Sequence, residues 1–215
     1  MYKVDHFING KSSSESNKTS KIYNPSYGTE IGEVLCATNE LADKAVESAY
    51  EASKAWSKTG LIYRSELILK FRQNVINRSK EIIDLGISEA GKTRPDAEAE
   101  LDRAVQALTH IAGVQHFYPS HYSQNVAGGI DIADLRFPIG VIVGVGPFNF
   151  PILIPLLHSA MALVTGNTYI GKPSEKVPSV SRLYADIWKE SGLSLIHISE
   201  PTRPLYISYA VFCLK

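Results

Sequence analysis

Residues 137–171, 35 in all, contain no Asp, Glu, Lys or Arg. A charge-free run this long either spans a bilayer, which takes about 20 apolar residues, or lies buried inside a folded domain. Its punctuation decides between the two. Pro147, Pro151 and Pro155 recur every four residues, Gly144 and Gly146 stand just before them, and Asn149, His158 and Asn167 add polar groups. In lipid, the backbone groups freed by such breaks find no partner, so no membrane span is expected. The run is predicted to fold as strand, turn, helix and strand. Residues 139–145, rich in β-branched side chains, suit a central parallel strand covered on both faces. Residues 152–164 are long enough for a buried helix, and residues 168–171 form a second short strand that ends at Lys172.

The rest of the chain supplies helices and short hairpins. Phe7-Ile8-Asn9-Gly10 reads as a strand entering an Asn-Gly turn. Residues 22–36 give short strands around the turn cluster Asn24-Pro25-Ser26-Tyr27-Gly28. Thr38 or Asn39 caps a helix to about Trp56, with Leu41, Ala45, Ala49 and Trp56 facing the core. A second helix is predicted from about Tyr63 to Glu89, ended by Gly91. A third starts at Pro95, with Asp96, Glu98 and Glu100 near its positive end and with Ala97, Leu101, Ala104, Leu108 and Ile111 at helical spacing. Residues 124–138, with Gly128-Gly129 and the alternation of Ile130, Ile132 and Leu135, read as an extended arm or hairpin. Pro178 opens a last helix with Val180, Leu183, Tyr184, Ile187 and Trp188 on one face. Helices followed by a βαβα unit point to an α/β fold, the start of a nucleotide-binding sheet.

Composition narrows the function classes. The 22 basic and 22 acidic residues cancel, whereas a protein that grips nucleic acid carries a basic surplus. The two cysteines, Cys36 and Cys213, cannot make a disulfide framework or a structural zinc site, so no metal is expected. Residues 1–11 lack the apolar core of a secretory signal, and the expected compartment is the reducing cytoplasm.

Two segments carry chemistry. Gly144-Val145-Gly146-Pro147-Phe148-Asn149-Phe150-Pro151 follows the first buried strand, where a dinucleotide fold places its ligand turn. Asn149 reads either as the N-cap of the next helix or as a side-chain amide donor to a developing oxyanion. Lys172-Pro173-Ser174-Glu175 closes the second strand. There Lys172 can donate to a ribose diol and Glu175 can accept from it, or Ser174 or Glu175 can cap the following helix.

Pro147-Phe148-Asn149-Phe150-Pro151, Gly166-Asn167-Thr168 and Lys172-Pro173-Ser174-Glu175, at these separations, resemble the NAD(P)-dependent aldehyde dehydrogenase superfamily. So do Phe7-Ile8-Asn9-Gly10-Lys11, Asn24-Pro25 and Glu89-Ala90-Gly91-Lys92-Thr93, in the same order. The resemblance covers residues 4–193. Within the superfamily, the segments around 147–155 and 166–178 are most similar to methylmalonate-semialdehyde dehydrogenases; succinate-semialdehyde-, lactaldehyde- and benzaldehyde-type members stay open. The resemblance implies the N-terminal part of a Rossmann-like NAD-binding domain with an oligomerisation arm. Residues 1–123 form its helical part, 124–138 the arm and 139–193 the incomplete start of the sheet. It implies that Asn149 is the oxyanion donor, that Val145, Gly146, Pro147 and Phe148 line the cofactor cleft, and that Lys172 and Glu175, helped by Lys176, bind the adenosine ribose of NAD or NADP. Arg103 falls where a substrate-carboxylate arginine stands, though a surface arginine on a helix reads equally well. The arm implies a homodimer or homotetramer, and coenzyme A is a further expected acyl acceptor in the full-length enzyme.

The same resemblance places the nucleophilic cysteine and the general-base glutamate in a second half of a longer chain. Neither Cys36, in an N-terminal strand, nor Cys213 fits the nucleophile. Residues 194–215 leave the family pattern and read as translated adapter DNA, a non-native tail expected to stay out of the sheet; a divergent native tail is the other reading. Two functions follow. One is a fragment of an enzyme that oxidises an aldehyde or semialdehyde through a cysteine thioester, inactive by itself. The other is a non-catalytic nucleotide-binding or assembly module.

Overall fold

The computed structural model describes residues 2–16, 18–117, 120–193 and 197–199. Strands β1 (Tyr2–Val4), β2 (His6–Ile8) and β3 (Lys11–Ser13) open the chain, followed by β4 (Thr19–Asn24) and β5 (Thr29–Leu35). Asn9 and Gly10 join β2 to β3 with φ of 51° and 73°, the pair of positive values that the tightest hairpin turn demands. At the turn between β4 and β5, Asn24 Oδ1 accepts from the Ser26 N–H at 3.0 Å. Then come α1 (Asn39–Trp56), α2 (Leu61–Asn77), α3 (Ser79–Ala90), α4 (Arg94–Ala112) and the single turn α5 (Val114–Phe117). The Thr38 and Thr93 hydroxyls cap α1 and α4 by accepting from the N–H of Leu41 and Asp96, each at 3.3 Å. Gly91 ends α3 at φ 66°.

The predicted single helix over 63–89 is two helices. Arg78, at φ −104° and ψ 18°, separates them, and the change of direction lets Ile82 and Ile83 join the core below Phe71. Neither Gly nor Pro marks the break. Its flanking Asn77 and Ser79 are residues whose side chains compete with the helix backbone.

Strands β6 (Tyr122–Ala127) and β7 (Ile130–Ala133) form the antiparallel arm, turned at Gly128-Gly129, with every side chain exposed. After it come β8 (Val141–Val145), α6 (Leu153–Val164), β9 (Thr168–Lys172), α7 (Ser179–Glu190) and β10 (His197–Ser199). The main sheet has the order β3-β2-β10-β9-β8, with β8, β9 and β10 parallel. Helix α1 covers one face through Ala45 and Ala49, which pack on Ile170. Helix α6 packs on β8 and β9 and helix α7 on β10 and β2, with α2 against both helices and α4 against α6. The core centres on Phe71 and Trp188, whose rings stack with centroids 3.5 Å apart, both fully buried.

Two expectations change here. Strand β8 is the edge of the described sheet rather than a central strand, and Val143 and Val145 are 53% and 52% exposed. In addition, His197–Ser199 lie in the sheet, parallel to β9 and antiparallel to β2, so the tail does not stay out of it at these three residues. The ladder uses backbone groups that every non-proline residue carries, and the facing edges of β9 and β2 are open to any strand that reaches them. The remainder of 194–215, Cys213 included, lies outside the described residues.

Candidate functional site

The parallel register sets Val145 opposite Lys172, so both motif loops leave the same end of the sheet. The Gly146 N–H donates to the Lys172 carbonyl at 2.8 Å and ties the loops together. Open α/β sheets bind ligands at this carboxyl end. Glycine is needed at 144, where a Cβ would sit 2.3 Å from the hydroxyl of the buried Tyr169, whereas one on Gly146 would make ordinary contacts with Pro155 and Pro173 at 3.5 and 3.6 Å. Val145, Pro147, Phe148 and Asn149 are exposed along the rim. Lys172 and Glu175 are half-buried, and the Lys172 ammonium donates to the Pro173 carbonyl at 3.2 Å. Lys176 places its ammonium 4.9 Å from the Phe148 ring centroid, joining the second loop to the first. Arg103 is exposed on α4, away from these loops in sequence but on a helix that packs against α6.

Asn149 does not cap α6. The cap position is Ile152, and no side chain of its own segment bonds the helix start. The carboxylate of Glu100, from α4, does so instead: Oε1 accepts from the N–H of Ile152 at 2.9 Å and of Leu153 at 2.8 Å. The Ile154 N–H reaches the Phe150 carbonyl at 3.3 Å, and Pro155 has no N–H to satisfy. Every amide at the helix start that an N-cap could serve is therefore occupied, and the Asn149 amide makes no hydrogen bond among the described residues. The second loop repeats the device. The Ser179 N–H at the start of α7 donates to Glu89 Oε2 at 3.1 Å, and the Ser179 and Tyr2 hydroxyls donate to Oε1. Neither Ser174 nor Glu175 caps α7; Ser174 accepts from the Lys176 N–H within its own loop at 3.3 Å.

Both glutamates are buried, at 4% exposure for Glu89 and 3% for Glu100. Burial pushes the Glu89 carboxyl above the usual carboxylate range despite its hydrogen bonds, and it raises the Tyr2 hydroxyl too, with the Glu89 charge adding to the effect. The Lys92 ammonium lies 3.0 Å from Glu100 Oε2. Burial, then the Glu100 charge, holds the Tyr184 hydroxyl far above its ordinary value, and that hydroxyl donates to the Ile152 carbonyl at 2.9 Å.

Glu89 and Lys92 stand in the motif Glu89-Ala90-Gly91-Lys92-Thr93 and Glu100 among the acidic residues of a helix start, but the motif reading gives none of them a role at these loops. Their signal is positional. Glu100 lies on the stripe of Ala97, Leu101, Ala104 and Leu108, and Glu89 continues the stripe of Ile82 and Gly86, all buried. A glutamate on an apolar face needs partners. Among the described residues no group of three or more His, Cys, Asp or Glu could hold a metal ion, and no helix is long and apolar enough to cross a membrane. The Cys36 thiol is buried.

Known proteins share this fold. The chain is 37% identical over 200 residues to the mitochondrial, acylating methylmalonate-semialdehyde/malonate-semialdehyde dehydrogenase of Mus musculus, covering 90% of this chain and 37% of that protein. It is 34% identical over 179 residues to a malonate-semialdehyde dehydrogenase of Bacillus pumilus, covering 83% and 37%. It superposes with a TM-score of 0.91 and 34% identity on the provisionally named methylmalonate-semialdehyde dehydrogenase of Sinorhizobium meliloti, solved in complex with NAD, covering 94% of this chain and 42% of that one. The chain thus spans about two fifths of the length of these relatives. Residues 12–195, which take in both loops and the two glutamates beneath them, match the model of the aldehyde dehydrogenase family, and the chain belongs to that family of oxidoreductases.

Proposed function

We propose that this chain is the dinucleotide-binding and oxyanion-donating part of an NAD-dependent semialdehyde dehydrogenase acting on an aldehyde that carries a carboxylate. The observation that carries the reading is the uncommitted amide of Asn149. Glu100 takes the amides that Asn149 would otherwise cap, and the Asn149 side chain is left on the rim of the cleft as a donor to an aldehyde oxygen on which negative charge develops. The cleft suits the cofactor. Val145, Pro147 and Phe148, around the side-chain-free Gly146, offer an apolar wall, and Lys172, Glu175 and Lys176 offer the donors and the acceptor that a ribose diol needs. NAD, when bound, would supply the oxidant. NADP would need room for one more phosphate beside Glu175, and coenzyme A would serve as acyl acceptor in the acylating class of relatives.

Arg103 would meet the substrate carboxylate, and the arm would join copies of the chain as a homodimer or homotetramer. A reducing compartment, the cytoplasm, keeps a thiol such as that of Cys36 reduced. The buried Cys36 is unsuited to attack an aldehyde, so the 1–215 chain should bind NAD without turning over semialdehyde. Calorimetric titration with NAD tests this. Lys172→Ala and Glu175→Gln should each weaken binding about tenfold, the scale of a hydrogen bond to a charged group, and Asn149→Ala should leave it unchanged. Absence of NAD binding, or aldehyde turnover lost on Cys36→Ser, would overturn the reading.

A further inference from the structure

We infer that Glu100 is the positioning residue of the turn that carries Asn149: a carboxylate supplied from α4 that fixes the turn by the reach of its Oε1, not by its charge. Residues 148–152 contain no internal device that would hold them. Pro151 has no N–H, and Phe148 and Asn149 are exposed. What holds them comes from beneath. The Ile152 peptide is gripped at both ends, its N–H by Glu100 Oε1 at 2.9 Å and its carbonyl by the Tyr184 hydroxyl at 2.9 Å. Ile152 itself is fully buried, its Cδ1 lying where a Cβ on Gly86 would come within 2.9 Å. Lys92 neutralises the other carboxylate oxygen at 3.0 Å and sets its ammonium 5.0 Å from the centroid of the Phe150 ring, next door to Asn149.

The clamp is asymmetric. Tyr184 holds a single backbone carbonyl of the turn, whereas Glu100 serves two consecutive amides with one oxygen. Such amides have no partner inside α6, and with the carboxylate charge balanced by Lys92 it is the reach of Oε1 that serves them. Residues acting through others in this way hold reacting groups to within fractions of an ångström. The consequence for Asn149 rests on the proposed function; the clamp itself does not.

Two substitutions in the full chain separate reach from charge. Glu100→Asp keeps the charge but withdraws it by one methylene, and Glu100→Gln keeps the reach of Oε1 without the charge. Residue-resolved amide hydrogen exchange should show Ile152 and Leu153 exchanging about tenfold faster or more in Glu100→Asp, the range expected when a buried donor loses its acceptor. Phe71 and Trp188 amides should keep their wild-type rates, and Glu100→Gln should exchange near the wild-type rate at all four. The same Glu100→Asp chain should bind NAD several-fold more weakly, with Glu100→Gln close to wild type. The inference fails if Ile152 and Leu153 are unchanged in Glu100→Asp, if Phe71 and Trp188 accelerate equally, or if Gln loosens the two amides as much as Asp does. A wild-type chain that binds no NAD would sink the cofactor reading alone, because the exchange rates still decide the role of Glu100.

Discussion

A carboxylate in an apolar stripe is costly to bury unless it is hydrogen-bonded or paired, and Glu89 and Glu100 meet that demand differently. Glu100 has a lysine, whereas among the described residues Glu89 has only the hydroxyls of Tyr2 and Ser179 and the Ser179 N–H. This contrast gives a pH prediction. The Glu89 carboxyl stands above its ordinary value in the folded chain, with burial the largest cause, so the folded state holds its proton more tightly than the unfolded state does. Its contribution to stability is complete below the ordinary carboxylate pKa and is lost as pH rises through the raised value. Glu89→Gln is neutral throughout. Its melting temperature minus that of the wild type should therefore grow as pH climbs from about 4, where an ordinary glutamate titrates. Melting curves across that range check it, and a difference that stayed flat or shrank would show that burial does not govern this carboxyl.

Among the elements, the arm is the one with no support of its own. An isolated two-stranded hairpin is marginal in water, and every side chain of β6 and β7 is exposed, including Val126, Ile130 and Ile132 at 50–56%. Its order comes from polar contacts at the turn. Asp131 accepts from the Tyr122 hydroxyl and from the Asn125 N–H at 2.9 Å, and Asn125 Oδ1 accepts from the Gly129 N–H at 3.0 Å. The bond from Tyr122, with that from Asn125, keeps the Asp131 carboxyl below its usual range. Apolar side chains displayed on such a frame suit contact with another copy of the chain. We expect Ile130→Lys with Ile132→Lys to lower self-association in sedimentation experiments while leaving the melting temperature unchanged. An oligomer that survived both substitutions would remove the arm from the interface.

At the scale of the molecule, the helices and the sheet meet at the Phe71–Trp188 stack, with Tyr184 edge-on to Phe71 at 6.0 Å between centroids. The Trp188 indole N–H also donates to the Ser159 hydroxyl at 3.3 Å. Truncating so large a buried side chain costs about 3–5 kcal/mol, a large share of the ~5–15 kcal/mol of a typical domain. Trp188→Ala should therefore shift the denaturant midpoint strongly or leave the chain unfolded, and a midpoint close to wild type would mean that the stack is not the centre of the core.

Much of this was legible in the residues. The apolar stripes of α1, α4 and α7, the Thr38 cap, the Gly91 stop and the Asn9-Gly10 turn are local effects, decided by neighbours three or four positions away. The charge-free run 137–171 likewise announced a βαβ unit, though not the exposure of its first strand, and the spacing of its motifs carried the family. What the sequence could not show depends on groups distant along the chain. The break at Arg78 answers to packing, not to propensity. The edge position of β8 and the entry of His197–Ser199 into the sheet depend on which strands are available to pair, since backbone ladders are indifferent to side chains. Most of all, the N-cap reading of Asn149 was removed by Glu100, 49 residues earlier in the chain. Residue type fixes what Asn149 can donate, but only the tertiary structure decides that a carboxylate from another helix has already taken the amides it would cap.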